Sequence, residues 1–112
     1  MGIPTLDELS LLHDQICFAV ADPKRVQILY ALHERPQYVS ELAEALELPQ
    51  PTVSRHLGVL RERALVLSER DGAAVVYRLA DSHIIEALDL MRHVLRDALA
   101  RRTNTLPTIP PN

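Results

Sequence analysis

The stretch YVSELAEALELPQPTVSRHLGVLRERALV, residues 38–66, decides the fold. It reads as two short helices joined by a tight turn. In the first, roughly 39–46, Leu42, Ala43 and Leu46 fall on one face and Glu41, Glu44 and Glu47 on the other. In the second, roughly 50–64, Val53, Leu57 and Leu60 advance by four and three, and Leu65 continues beyond its end. That spacing marks a helical apolar stripe. Off the stripe, Gln50, Thr52, Ser54, Arg55 and His56 gather in the first two turns. Such side chains hydrogen-bond with base edges and phosphates, and the N-terminal part of the second helix of a helix-turn-helix enters the major groove. The plainer alternative is an ordinary amphipathic helix pair, and the residues that follow weaken it.

Those residues, LVLSERDGAAVVYRL, give two runs rich in β-formers, 65–70 and 73–79. Asp71-Gly72 between them is a hairpin signal, because a two-residue turn needs positive φ. A hairpin after a helix-turn-helix is a wing. Arg70, at its tip, is placed to reach a neighbouring minor groove or the phosphate backbone; a hairpin that only closes the core is the competing reading.

Outward from this centre, Thr5 followed by Glu8 forms a capping box that opens a first helix. Leu6, Leu9, Leu12 or His13, Ile16 and Val20 follow at helical spacing, and Leu11 and Phe18 widen the apolar surface. Asp22 caps a second helix with Pro23 in its first position, and Arg35-Pro36 ends it. Val26, Leu29, Tyr30 and Leu32 are its expected inward side chains. At the far end Asp81 is the expected cap of a last helix of about twenty residues. There Ile84, Leu88, Met91, Leu95 and Leu99 form one stripe, and Ile85, Leu90, Val94 and Ala98 a second. One small domain cannot bury both faces of this helix as well as the first helix. A symmetric dimer packed through the first and last helices resolves that. The end, TNTLPTIPPN, is uncharged and proline-rich and reads as a disordered tail.

Composition bounds the rest. At 112 residues, 47% hydrophobic and 24% charged, the chain is globular and of one-domain size. Aromatic residues are 4% with no Trp, which argues against stacking of unpaired bases on an aromatic platform. No apolar run approaches a membrane span and no signal peptide opens the chain, so a cytoplasmic protein is expected. A single cysteine, Cys17, excludes an internal disulfide and any CxxC metal clamp. There is no glycine-rich phosphate loop and no enforced nucleophile–base pair, so an enzyme is not expected. The net charge of −3 conceals a local inversion. Residues 1–49 carry three basic and eight acidic groups, whereas 50–78 carry five arginines against Glu62, Glu69 and Asp71. The positive balance therefore lies on the segment that would meet phosphates.

The order helix, helix, helix-turn-helix, wing, helix resembles the ArsR/SmtB family of bacterial winged-helix repressors. The likeness is carried by ADPKRVQIL at 21–29, SELAEAL at 40–46, PTVSRHLGVLRERALV at 51–66 and the DGAAVVYRL hairpin. The expected fold is mainly α with a small β-hairpin: a homodimeric winged helix-turn-helix of five helices and a two-stranded wing. It would occupy residues 1–102, with dimerisation helices at 5–20 and 81–102 and a disordered tail at 103–112. The resemblance implies a homodimer on an inverted-repeat operator that blocks transcription and is released by an inducer such as a metal ion or oxidant. Gln50, Thr52, Ser54, Arg55 and His56 match the family's groove-reading positions, while Pro51 replaces the usual small polar residue and removes a backbone donor. The rival is a dimeric winged-helix interaction module without sequence-specific DNA binding or effector sensing.

For sensing, the resemblance implies two possible metal sites. The arsenic-type cysteines of the helix-turn-helix are replaced by Ala43 and Ala45, so that site is absent. The site on the last helix finds Asp81 and His83 at its start and Asp97 fourteen residues after His83. The remaining position, eleven residues after His83, holds Val94; His93 is one residue short, about 100° away around the helix. Oxygen and imidazole ligands of this kind suit Zn²⁺ or another divalent transition metal. The ordinary alternative makes Asp81 a cap and the other three solvated surface groups. Cys17, four residues after His13, is a candidate redox group, or else a small apolar side chain.

Overall fold

The computed structural model describes residues 2–102 and divides into two compact units, Met1–Asp81 and Ser82–Asn112. The tail expected over 103–112 lies outside the described residues. Among the described residues no helix is long and apolar enough to cross a membrane.

In the first unit, α1 covers residues 6–20: an α-helical Leu6–Leu12, a π-helical stretch His13–Cys17 and a last turn Phe18–Val20. Thr5 caps it as expected, its Oγ1 accepting from the Glu8 N–H at 3.2 Å. Asp22 caps α2 (Pro23–Glu34), accepting from the Lys24 N–H at 2.8 Å. Then come β1 (Gln37–Tyr38), α3 (Val39–Leu46), α4 (Gln50–Glu62), β2 (Val66–Asp71) and β3 (Ala74–Leu79). The helix-turn-helix thus stands where residues 38–66 predict it, with α4 ending at Glu62 rather than near residue 64.

The wing is larger than the predicted hairpin. Its sheet has three strands in the order β1-β3-β2, because Gln37 and Tyr38 pair antiparallel with Tyr77 and Val76. The buried Gln37 side chain also donates to the Ala31 carbonyl at 2.8 Å, tying this edge strand to α2. Asp71 pairs with Ala74, so the two-residue loop is Gly72–Ala73, one residue later than expected. Gly72 supplies the positive φ of 65°, which a side chain rarely adopts.

The largest fully buried side chains are Ile28 and Leu29 of α2, Leu42 of α3, Val53, Leu57 and Leu60 of α4, and Val66 of β2. The inward face of α2 is Arg25, Ile28, Leu29 and Leu32 rather than one centred on Val26 and Tyr30, which are half-buried. That set follows the i, i+3, i+4, i+7 spacing, with an arginine in its first place.

Both helices of the motif end alike. After α3, Glu47 adopts the left-handed conformation (φ 55°) and the Leu48 N–H donates to the Ala43 carbonyl at 3.0 Å. After α4, Ala64 does the same (φ 62°) and the Leu65 N–H donates to the Leu60 carbonyl at 3.0 Å. These are Schellman closures with non-glycine residues at the left-handed position. The second roots β2 directly beneath α4, since Leu60, Leu65 and Val66 are all buried.

The second unit is α5 (His83–Ala100). Ser82, not Asp81, occupies its cap position, so Asp81 lies one residue outside the turn it was expected to close. Ile85 and Leu88 are buried, while Leu90, Met91, Val94 and Leu95 are exposed.

Leu57→Ala is expected to cost about 2–5 kcal/mol through the cavity it leaves. Ala64→Gly is expected to raise the unfolding free energy by up to about 1 kcal/mol, because glycine relieves the left-handed strain and loses part of the gain to chain entropy. Urea unfolding of the two variants beside the parent chain checks both.

Candidate nucleic-acid interface

α4 presents two faces of different chemistry. Its outer face exposes Gln50, Pro51, Ser54 and Arg55 in the first two turns, with Thr52 half-buried. Gln50 and Ser54 stand one turn apart on this face, and Arg55 projects about 100° further round the helix. The set offers an amide, a hydroxyl and a guanidinium to one side of the helix, which is the donor and acceptor repertoire that reads base edges and phosphates. Pro51 lies within the first turn, where an N–H has no partner inside the helix, so the proline is accommodated at no cost to the helix.

His56 departs from the expected set. It is buried at 4% exposure, on the same face as Val53, Leu57 and Leu60, and does not project with Arg55. Positions 53, 56, 57 and 60 form the i, i+3, i+4, i+7 stripe, so helix geometry turns position 56 inward. There the imidazole Nδ1 lies 3.5 Å from Nη1 of the buried Arg25, and Nε2 lies 3.9 Å from Oδ2 of Asp22. Arg25 donates from Nε to the Ala19 carbonyl at 2.7 Å and from Nη2 to the Phe18 carbonyl at 2.8 Å. An Arg donor facing Nδ1 requires the neutral imidazole with its proton on Nε2. Burial pushes the His56 pKa below its ordinary value; Asp22 opposes this, and Arg25, Arg55 and Lys24 add to it. The Asp22 carboxyl is held low, first by its hydrogen bond from the Lys24 N–H, against the opposing effect of burial, and further by the Arg25 charge.

The wing adds a second basic position. Arg70 is exposed, opposite Val75 in the β2–β3 register, and its neighbour Asp71 accepts a hydrogen bond from the Tyr38 hydroxyl. That contact fixes the wing tip to the start of α3 and raises the Tyr38 phenol pKa. Arg78 is paired with Glu69 at 3.4 Å, and Arg63 lies over the Phe18 ring. Of the five arginines in 50–78, Arg55, Arg61 and Arg70 therefore remain uncommitted among the described residues. The sequence reading missed Tyr38 and Arg25; the only sequence signal for Arg25 was its place at the head of the α2 stripe.

The expected metal and redox groups do not assemble within one chain. Among the described residues no group of three or more His, Cys, Asp or Glu stands close enough to hold a metal ion. His83 opens α5 and Asp97 is fourteen residues on, about 21 Å along the axis. His93 Nδ1 sits 3.4 Å from Arg96 Nη1. Cys17 is exposed and ends the π-helical stretch, while His13 faces Asp14 at 3.2 Å rather than the thiol.

Comparison with known proteins gives a consistent picture. Residues 22–68 match the model of the bacterial regulatory protein arsR family. The HTH-type transcriptional repressor SmtB of Mycobacterium tuberculosis is 44% identical over 82 residues, 72% of this chain and 61% of that protein. The chain thus spans less than two thirds of that repressor's length. The HTH-type transcriptional regulator KmtR of the same organism is 39% identical over 87% of this chain and 74% of that protein. The solution structure of the homodimeric winged helix-turn-helix DNA-binding domain Mb0332 from Mycobacterium bovis superposes with a TM-score of 0.70 at 27% identity. That superposition covers 95% of this chain and 100% of the other.

Because native His56 is held neutral, the unfolded chain binds the extra proton first. Stability is therefore expected to fall as pH drops below about 6.5, until native His56 itself titrates. Asp22 contributes in a separate window, its stabilisation being lost as pH falls below the ordinary carboxylate value near 4 toward its lower native pKa. In His56→Gln the upper of these two slopes should flatten and the lower persist, as read from urea midpoints across pH.

Proposed function

The chain belongs to the arsR family of bacterial regulatory proteins, and we propose on that premise that it is a dimeric, sequence-specific DNA-binding repressor. The observation that carries the reading is the split of α4 into a buried face, with Val53, Leu57 and Leu60, and an exposed polar start, with Gln50, Ser54 and Arg55. Arg55 is assigned to bidentate pairing with a guanine, Gln50 to an adenine, and Ser54 and Thr52 to phosphates. Arg70 on the wing is assigned to the adjoining backbone or minor groove.

Pairing of two chains is supported by apolar side chains left open to water. Leu6, Leu11 and Leu12 on α1, and Leu90, Met91 and Val94 on α5, are all exposed. A soluble monomer rarely leaves patches of that kind uncovered. A two-fold axis would set two copies of α4 about one duplex turn apart, which calls for an inverted-repeat operator.

With three uncommitted arginines per subunit, a dimer neutralises few phosphates. The slope of log affinity against log salt is expected to be no steeper than about −5. Selection from a random duplex library should return an inverted repeat, and Arg55→Ala should weaken binding to it by about 1–3 kcal/mol with the fold intact. Binding without sequence preference, seen only at very low salt, would instead establish the dimeric interaction module.

A second reading, release by Zn²⁺ or another divalent metal, is favoured by one observation. α5 is unbroken from His83 to Asp97, which brings the two residues within about 40° of one face. Their axial separation means that ligands from Asp81, His83, His93 and Asp97 have to come from two subunits. Zn²⁺ titration of the parent dimer should then show one affinity that is lost in the Asp81→Ala, His83→Ala double variant; equal affinities end this reading.

A further inference from the structure

The proposed reading of DNA by α4 requires that the helix be held at one tilt and one rotation. The turn at Glu47–Pro49 joins α3 to α4 only at the N-terminal end of α4. The buried stripe Val53, Leu57 and Leu60 seats the rest of α4 on the core, and two side-chain ties from outside the helix-turn-helix reach it as well.

Phe18, the chain's only phenylalanine, is in the last turn of α1 and is 46% exposed. Two guanidiniums lie over its ring: Arg25 Cζ at 5.3 Å from the centroid and Arg63 Cζ at 4.4 Å. Both distances fall within cation–π range. Each arginine also binds backbone on α1. Arg25 donates to the Phe18 and Ala19 carbonyls at the C-terminal end of α1, where the helix dipole favours a cation. Arg63 donates from Nη1 to the Asp14 carbonyl in the π-helical stretch.

Arg63 is the C-cap residue of α4, and Arg25 of α2 reaches α4 through His56. α4 is thus tied to α1 at positions 56 and 63, two turns and about 10 Å apart along its axis. On a helix already seated by its core stripe, two ties at that separation restrict tilt and rotation further than one would.

Resting on the reading of α4 as the DNA-contacting helix, we propose that Phe18, Arg25, Arg63 and His56 form a clamp through which α1 positions the recognition helix. These are positioning residues; none of them is assigned a contact with DNA. The clamp makes groove fit depend on α1, the helix whose exposed leucines are assigned to pairing with a second copy. Subunit pairing and base reading then share one mechanical link.

Phe18→Leu and Phe18→Tyr in the full chain test the link by two independent readouts. The first is the NMR titration midpoint of the His56 ring; the second is the ratio of affinities for the selected operator and a random duplex at one salt concentration. Tyr keeps the ring and is expected to leave both unchanged. Leu is expected to move the His56 midpoint toward the ordinary histidine value and to lower the ratio about tenfold. An unchanged midpoint and ratio in Phe18→Leu overturns the clamp. A shifted midpoint with an unchanged ratio also overturns it, since the ring then supports only the fold. Should Phe18→Leu fail to fold, Arg63→Gln carries the same expectation for the ratio, random-duplex binding correcting for the lost charge. If the parent chain selects no sequence at all, DNA reading by α4 falls; if the parent selects and Phe18→Leu selects equally well, the clamp alone falls.

Discussion

A buried guanidinium is the constraint on which this arrangement depends. Arg25 is 9% exposed, and a charge at that depth is tolerated only when its donors are satisfied. Two go to the last carbonyls of α1 and a third faces the His56 imidazole, while the Asp22 carboxylate stands 3.9 Å away. Each partner belongs to a different structural requirement. The carbonyls close α1, Asp22 caps α2, and His56 belongs to α4. One side chain therefore binds carbonyls at a helix end and faces the imidazole of another helix, whose charged form burial already disfavours.

That arrangement also explains where the sequence reading stopped short. The helix order, the helix-turn-helix, the wing and the caps at Thr5 and Asp22 all follow from local signals: apolar spacing, capping oxygens and the Asp71-Gly72 pair. Polarity alone places His56 outward, beside Arg55. Its position, three residues after Val53 and one before Leu57, already belonged to the buried stripe. Arg25 stands in the same relation to Ile28, Leu29 and Leu32. Periodicity carried the right information at both places, and residue type overrode it. The partners that make these burials tolerable, the α1 carbonyls for Arg25 and Arg25 itself for His56, lie on other helices, and a single helix pattern does not contain them.

Other features left no local mark. The two turns that close α3 and α4 have Glu47 and Ala64 at left-handed φ, where a glycine would have announced the stop. β1 is two residues long, too short for any alternation, and exists because β3 offers its free edge. The π-helical stretch at His13–Cys17 has no proline or glycine to signal it. It widens α1 where the Asp14 carbonyl meets Arg63, so a distant side chain is part of its environment.

The distribution of charge explains why position matters so much in this chain. A strongly basic protein holds DNA by Coulomb attraction and tolerates an imprecise fit, since phosphates lie everywhere along the duplex. Here the net charge is −3, and of the arginines in 50–78, Arg63 and Arg78 are committed to Phe18 and Glu69. Few charges are left for phosphates, so a larger share of any affinity has to come from base contacts, and those are lost with small errors of angle. Spending Arg63 on a ring rather than on a phosphate is then consistent with the same economy. On the proposed reading, Arg63 against Phe18 helps orient the start of α4, whereas at a phosphate it would add one more nonspecific contact.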